Sequence, residues 1–237
     1  MLNIVERALN GEVVFLPQHL QRLNLFDQFQ AVFLNSIKHE CGDRVHKQVV
    51  RKGLEQFHKL VPTEQIVSIY KRIESKLYGT LPNDMIKIAL SVDVPRPFYV
   101  HKNAYARLMV PVDQLDDSFK YRPGRLYPYD GVHQDRYRTI DRVINFWMAI
   151  GPVKKENGLE IYPDIWGRDL PQEGFNYNIE GLGEPVRYEL APGDILVFHS
   201  RHIHTTVLNH TDRTRVALTS RICYSVPDGD PEWSLAP

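Results

Sequence analysis

Cysteine is nearly missing from these 237 residues. Cys41 and Cys223 stand alone, with no Cys-x-x-Cys pair and no disulfide framework, which points to a reducing compartment. A charge excess is missing too: lysine plus arginine and aspartate plus glutamate each number 29. The chain therefore lacks the basic surplus that nucleic-acid and anionic-membrane partners normally call for. No run approaches the roughly eighteen apolar residues of a membrane span, and Met1 to Arg7 lacks the basic start and apolar core of a signal peptide. A Gly-x-Ser-x-Gly elbow, a Gly-x-Gly-x-x-Gly turn and a Walker loop are all absent, so nucleophilic hydrolysis and nucleotide binding have no motif to rest on. With 43% hydrophobic residues and no repeat, linker or low-complexity tract, the chain reads as one cytoplasmic globular domain over 1–237.

What is present divides into two textures. Residues 12–80 carry helical signals: Pro17 can open a helix in which Leu20, Leu23, Phe26, Phe29, Phe33 and Ile37 recur at spacings of three and four. A more polar helix follows from Val45 to Leu60, with Val49, Leu54 and Phe57 on its buried side. A third begins after Pro62 and ends near Gly79. From Ile86 the pattern turns to strands, in Ile86 to Val92 and again in Tyr105 to Val110. The order predicts a mainly β fold with N-terminal helices: a helical layer over 1–80 packed on the outer sheet of a jelly-roll core over 86–226.

Chemistry concentrates between Asp194 and Arg221. Asp194 to Phe198 is an apolar run after the breaker Pro192-Gly193, and Val216 to Cys223 alternates apolar with polar, so two strands flank a histidine-rich connection. Upstream stands His133-Gln134-Asp135. On an extended chain residues i and i+2 share a face, so His133 and Asp135 can offer one nitrogen and one oxygen to a single ion, with His204 as third ligand. Two imidazoles and one carboxylate leave the opposite positions open, as in non-haem Fe(II) oxygenases. The His-x-Asp spacing alone is a weak signal, since roughly one chance copy is expected and His210-Thr211-Asp212 is a second. His210 has no histidine after it and reads as a solvated turn residue.

A site built from His199, His202 and His204 instead needs a bend, because His199 has the other strand parity. It would suit a zinc hydrolase or a non-catalytic cupin-like binding module, which is the alternative reading. Of His199 and His202, one is expected packed and one near solvent.

Taken in order, His133-Gln134-Asp135, Trp147, Asn157-Gly158, Gly193-Asp194, His204, Thr206, Asn209 and Arg215 resemble the phytanoyl-CoA dioxygenase family of Fe(II)- and 2-oxoglutarate-dependent oxygenases. The resemblance covers Lys120 to Arg221. It implies a double-stranded β-helix, iron held by His133, Asp135 and His204, and Arg215 clamping the far carboxylate of 2-oxoglutarate, with Thr206 and Trp147 near the cosubstrate. It further implies dioxygen as second cosubstrate, release of succinate and carbon dioxide, and hydroxylation of a small organic molecule as the default outcome, with desaturation or cyclisation reachable from the same chemistry. Related halogenases replace the carboxylate ligand by a small residue, whereas this chain keeps Asp135.

Two further stretches bear on substrate. Between Lys120 and Arg138, Arg122, Arg125, Arg136 and Arg138 interleave with four tyrosines; Arg122 and Arg125 are candidates for binding an anionic or hydroxylated small molecule. The competing reading is a strand edge with solvated arginines. Residues 163–192, rich in glycine and proline, suit a lid that keeps a reactive oxidant from water.

Overall fold

The computed structural model describes residues 3–103, 105–114, 131–135, 142–168, 172–173, 176–177, 183–225 and 231–237. Helices come first: α1 (Ile4–Leu9), then strand β1 (Val14–Leu16), the single turn α2 (His19–Arg22), α3 (Phe26–Lys52), a 3-10 turn (Leu54–Lys59) and α4 (Thr63–Ser91). Strands follow: β2 (Tyr99–His101), β3 (Tyr105–Met109), β4 (Val143–Ala149), β5 (Leu159–Ile161), β6 (Gln172–Glu173), β7 (Asn176–Tyr177), β8 (Val186–Arg187), β9 (Ile195–His199), β10 (His204–Thr206), β11 (Arg215–Cys223) and β12 (Trp233–Leu235).

The helical signals translate with three corrections. The apolar face from Leu20 to Ile37 is split between α2 and α3, because Asn24 takes the left-handed conformation (φ 55°) between them. α3 runs through both expected segments but breaks at Gly42 (φ 80°) and stops at Gly53, so Leu54–Lys59 turns away instead of prolonging it. α4 does not end near Gly79, and Ile86 to Ser91 is its last part, not a strand. Leu77, Leu81, Met85 and Ile88 continue one buried face at helical spacing, and this face overrides the partial alternation. Pro82 sits inside α4, and the bond it cannot make falls on the turn of Tyr78, a residue exposed to water.

The main sheet is antiparallel, in the order β1-β9-β4-β11-β2-β12, with β3 also on β11. β11 is its axis: Arg215 to Thr219 pair with β3, while Ala217 to Cys223 pair with β4. Every residue of β4 and β11 is buried, so alternation sorts side chains between two covered faces. Ile144, Phe146, Met148, Val197, Val216 and Leu218 face the helices, in one cluster with Phe29, Phe33 and Ile37 of α3 and Ile69, Ile73 and Leu77 of α4. Burial of each large side chain there stabilises the fold by about 2 kcal/mol.

The opposite face of the main sheet packs on the small sheet β10-β5-β8 through Trp147, Ala149, Leu196, Phe198 and Ala217 against Leu159 and Ile161. Two antiparallel sheets with helices on the outer one make the jelly-roll-like arrangement expected, with the exception that β1 comes from within the helical layer and edges the sheet beside β9. Gly193 (φ 92°) makes the turn into β9, where a side chain would collide with Gln21. Asp194, buried next to it, accepts the Gln18 and Ala191 N–H groups at 2.7 Å each and so ties the N-terminal segment to β9. Cys223 is buried and Cys41 half-buried, both as free thiols. No helix among the described residues is long and apolar enough to cross a membrane.

Candidate metal centre

His133 lies against β10 as an antiparallel bridge to His204, each backbone N–H donating to the other's carbonyl at 2.9 Å. The Asp135 N–H donates to the Ser200 carbonyl at 3.0 Å, and the Gln134 side chain donates to the Arg201 carbonyl at 2.7 Å. The His-x-Asp segment is thereby held extended, with Gln134 turned away and its neighbours turned toward His204. One ligand atom from each of His133, Asp135 and His204 lies within 4.8 Å of the other two. His133 Nε2 is 3.9 Å from Asp135 Oδ1, and His204 Nε2 is 4.0 Å from Asp135 Oδ2. His204 is buried, whereas His133 and Asp135 are partly exposed, which leaves the cluster open on one side.

The neighbours fix the chemistry of these donors. His133 Nδ1 lies 3.0 Å from the Gly131 carbonyl and His204 Nδ1 lies 2.8 Å from the His202 carbonyl. A carbonyl only accepts, so both Nδ1 atoms carry a proton and both rings are left with Nε2 for the cluster. Burial, with His133 and Arg221 adding and Asp135 opposing, lowers the His204 pKa to about 4, so the ring is neutral near pH 7. Burial alone would raise the Asp135 carboxyl; Arg221, then the two histidines and Asn145, outweigh it and hold Asp135 well below the usual carboxylate range. Asp135 Oδ2 accepts from Asn145 Nδ2 at 2.8 Å and from Arg221 Nη2 at 3.3 Å, while Arg221 Nε donates to Asn145 Oδ1 at 2.9 Å.

The cluster opens into a small cavity whose lining includes Trp147, Leu159, Phe198, Thr206, Thr219, Arg107 and Arg221. Trp147 and Thr206 therefore share the cavity with the three ligands. Arg215 stands behind this lining: it is buried, its guanidinium carbon lies 5.5 Å from the centre of the Trp147 ring, and Nη1 donates to the carbonyls of Asn157 and Gly158 at 3.0 and 3.1 Å. The Asn157-Gly158 turn thus orients the arginine besides reversing the chain. Asn209 is also structural, with Nδ2 donating to the carbonyls of Met109 and Arg213.

Arg122 and Arg125 lie outside the described residues, as does part of the 163–192 loop. His199 and His202 are both buried, against Trp166 at 4.9 and 4.7 Å between ring centres, so neither is the solvent-facing histidine expected. His210 is exposed, as a turn residue should be. Asn145, Arg107 and Arg221 have no role in the sequence reading. Alternation on β11 carries the signal for Arg221, since it shares the face of Arg215, but its contact with Asp135 depends on how the His-x-Asp segment crosses the sheet.

A family model described as phytanoyl-CoA dioxygenase (PhyH) matches residues 114–217, a span that holds His133, Asp135, Trp147, His204, Thr206 and Arg215. No curated protein matches the chain. Among solved structures, the non-haem α-ketoglutarate-dependent epimerase SnoN from nogalamycin biosynthesis is 14% identical, over 96% of this chain and 87% of that one, with a TM-score of 0.51. The carbocyclase SnoK of the same biosynthesis is 15% identical over 98% and 96%, with a TM-score of 0.45. EvdMO1 is 17% identical over 60% of this chain but only 30% of its own, with a TM-score of 0.41. Residues 114–217 are thus similar to the phytanoyl-CoA dioxygenase family, and the likeness to SnoN extends the shared fold over nearly the whole chain.

Proposed function

We propose that the protein is a non-haem Fe(II)- and 2-oxoglutarate-dependent dioxygenase that hydroxylates a small-molecule metabolite or natural-product intermediate and releases succinate and carbon dioxide. The observation that supports it most is the convergence of His133, Asp135 and His204 with both Nδ1 atoms committed to backbone carbonyls. Two imidazoles that present Nε2 and one ionised carboxylate suit a divalent ion such as Fe(II) and leave room for further ligands. Bound there, iron with 2-oxoglutarate would supply oxidation of an unactivated carbon by dioxygen, coupled to decarboxylation of the cosubstrate.

The chain's own groups have distinct tasks in this reading. Asn145 orients the Asp135 carboxylate, and Arg221 balances its charge while no cation is bound. Arg215, braced by the Asn157 and Gly158 carbonyls, offers its guanidinium to the far carboxylate of 2-oxoglutarate, which a planar fork can hold bidentately. Trp147 and Thr206 line the cavity beside the ligands, in front of that arginine, and Leu159 and Phe198 make part of its wall apolar, which disfavours water there. Retention of Asp135 leaves no vacant ligand place for a halide, which argues against halogenation.

The test is succinate release by anaerobically reconstituted protein given 2-oxoglutarate and air. Asp135→Ala abolishes it, and unimpaired turnover by that variant would overturn the ligand set. Arg215→Ala raises the 2-oxoglutarate requirement by roughly ten- to a hundredfold, the loss of a charge-assisted contact; an unchanged requirement rejects the clamp. Because SnoN is an epimerase, the organic product is also weighed for the gain of one oxygen atom. Iron loading with no turnover of 2-oxoglutarate favours the zinc or binding-module reading.

A further inference from the structure

Arg107 lines the cavity from an edge of the main sheet. It stands on β3 opposite Ala217 of β11, and alternation places Tyr105, Arg107 and Met109 on the inner face while Ala106 and Leu108 join the helix-side core. Its guanidinium leans along the sheet away from Arg215. Nε lies 3.5 Å from Thr219 Oγ1, and the guanidinium carbon lies 5.4 Å from the Tyr105 ring centre. Tyr105 and Thr219 pair with each other, two positions nearer than Ala217 to the end of β11 where Arg221 meets Asp135. The same Tyr105 ring has the Arg221 guanidinium 4.8 Å from its centre.

Among the described residues, the charges around the cavity do not balance. Its described lining holds Arg107 and Arg221 (+2) and Asp135 (−1), a surplus of +1. Arg221 serves Asp135 at 3.3 Å, whereas Arg107 has no carboxylate within ion-pair distance among the described residues and only a long contact to a hydroxyl. An inward-facing guanidinium with most of its five donors uncommitted among the described residues, beside an aromatic ring and on the ligand side of the cavity, is suited to receive an oxyanion.

On the oxygenase reading given above, we propose that Arg107, with Tyr105 beside it, binds an anionic substituent of the substrate to be oxidised, a carboxylate or a phosphate. Metal with 2-oxoglutarate adds no net charge, since a divalent cation meets a dianion, so the Arg107 surplus persists when both are bound. The substrate is then an organic anion carrying the carbon to be oxidised at some remove from its charged end, and the Arg107 contact sets that remove.

The experiment uses Zn(II)-loaded full-length protein, with and without saturating 2-oxoglutarate, titrated calorimetrically with benzoate and phenyl phosphate and with their neutral counterparts benzamide and phenol. The wild type binds at least one anion about tenfold or more tightly than its neutral counterpart, as a charge-assisted contact requires. Arg107→Gln loses that preference while its 2-oxoglutarate affinity stays within about twofold, and Arg107→Lys, which keeps the charge, retains part of it. Preference for benzoate marks a carboxylate substrate and preference for phenyl phosphate a phosphorylated one. Equal binding of anions and neutral probes by the wild type, or an unchanged preference in Arg107→Gln, overturns the proposal. A loss of 2-oxoglutarate affinity in Arg107→Gln overturns it as well, because Arg107 then belongs to the cosubstrate. Failure of the wild type to bind 2-oxoglutarate sinks the oxygenase reading instead, and the anion preference is still read in the arm without it.

Discussion

Arg221→Met separates the stability of the fold from the affinity of the metal centre. The arginine lies 3.3 Å from Asp135, with side-chain exposures of 6% and 16% for the two partners. At an effective dielectric of about 20, unit charges that close attract by about 5 kcal/mol. Partial solvent access to Asp135 and the desolvation cost that Arg221 no longer bears reduce the expected loss to about 2–4 kcal/mol. Methionine keeps much of the apolar stem against Tyr105, so the loss reports charge more than packing. For a chain of this size, that corresponds to a fall in Tm of roughly 5–15 °C for metal-free protein. The sign reverses for metal: Arg221 competes with a cation for the Asp135 carboxylate, so its removal strengthens divalent binding. Thermal unfolding of wild type and variant, each with and without Zn(II), reads both effects. The variant should be less stable without metal and gain more on metal addition. A metal-free loss under about 1 kcal/mol, or a metal-induced gain no larger than that of the wild type, would refute the reasoning.

Asp194→Ala removes the acceptor of two backbone N–H groups and costs roughly 2–4 kcal/mol, whereas Asp194→Asn, which keeps one acceptor oxygen, costs less; denaturant unfolding checks both, and equal costs would contradict the role. His58 has its pKa lowered, by burial first and Lys59 next, with Asp113 and Asp212 opposing, and its Nδ1 is 2.8 Å from Thr214 Oγ1 just before Arg215. A depressed histidine is protonated more readily in the unfolded chain, so its contribution is full above the ordinary value of 6.5 and is lost as pH falls through the window below it. His58→Asn should flatten that part of the stability profile on acidification, and a slope identical to that of the wild type would exclude His58 as a source.

Much of the fold was legible because both faces of the main sheet are covered, which forces apolar runs onto β4 and β9 that local pattern can find, while β11 shows as alternation. Ile86 to Val92 misled because a short apolar stretch fits either period, and the buried face it prolongs begins some twenty residues earlier, at Ile66. β1 was hidden among helices, since three residues are too few to show alternation and its pairing with β9 spans most of the chain. At the site, spacing and strand parity brought His133, Asp135 and His204 together on paper, and the bridge between His133 and His204 brings them together in space. The roles of Arg107 and Arg221 were not legible in the same way, although alternation on β11 puts Arg221 on the face of Arg215. Their meaning lies in the register of β3 and β4 against β11, and a register is a tertiary fact.

The most direct test of the oxygenase account is an anaerobic visible spectrum of metal-free protein titrated with Fe(II) and then with 2-oxoglutarate, beside His204→Ala. Chelation of iron by 2-oxoglutarate gives a metal-to-ligand charge-transfer band, and the account predicts that band in the wild type and its absence in the variant. Well-folded, iron-loaded wild-type protein that shows no band on addition of 2-oxoglutarate would contradict it.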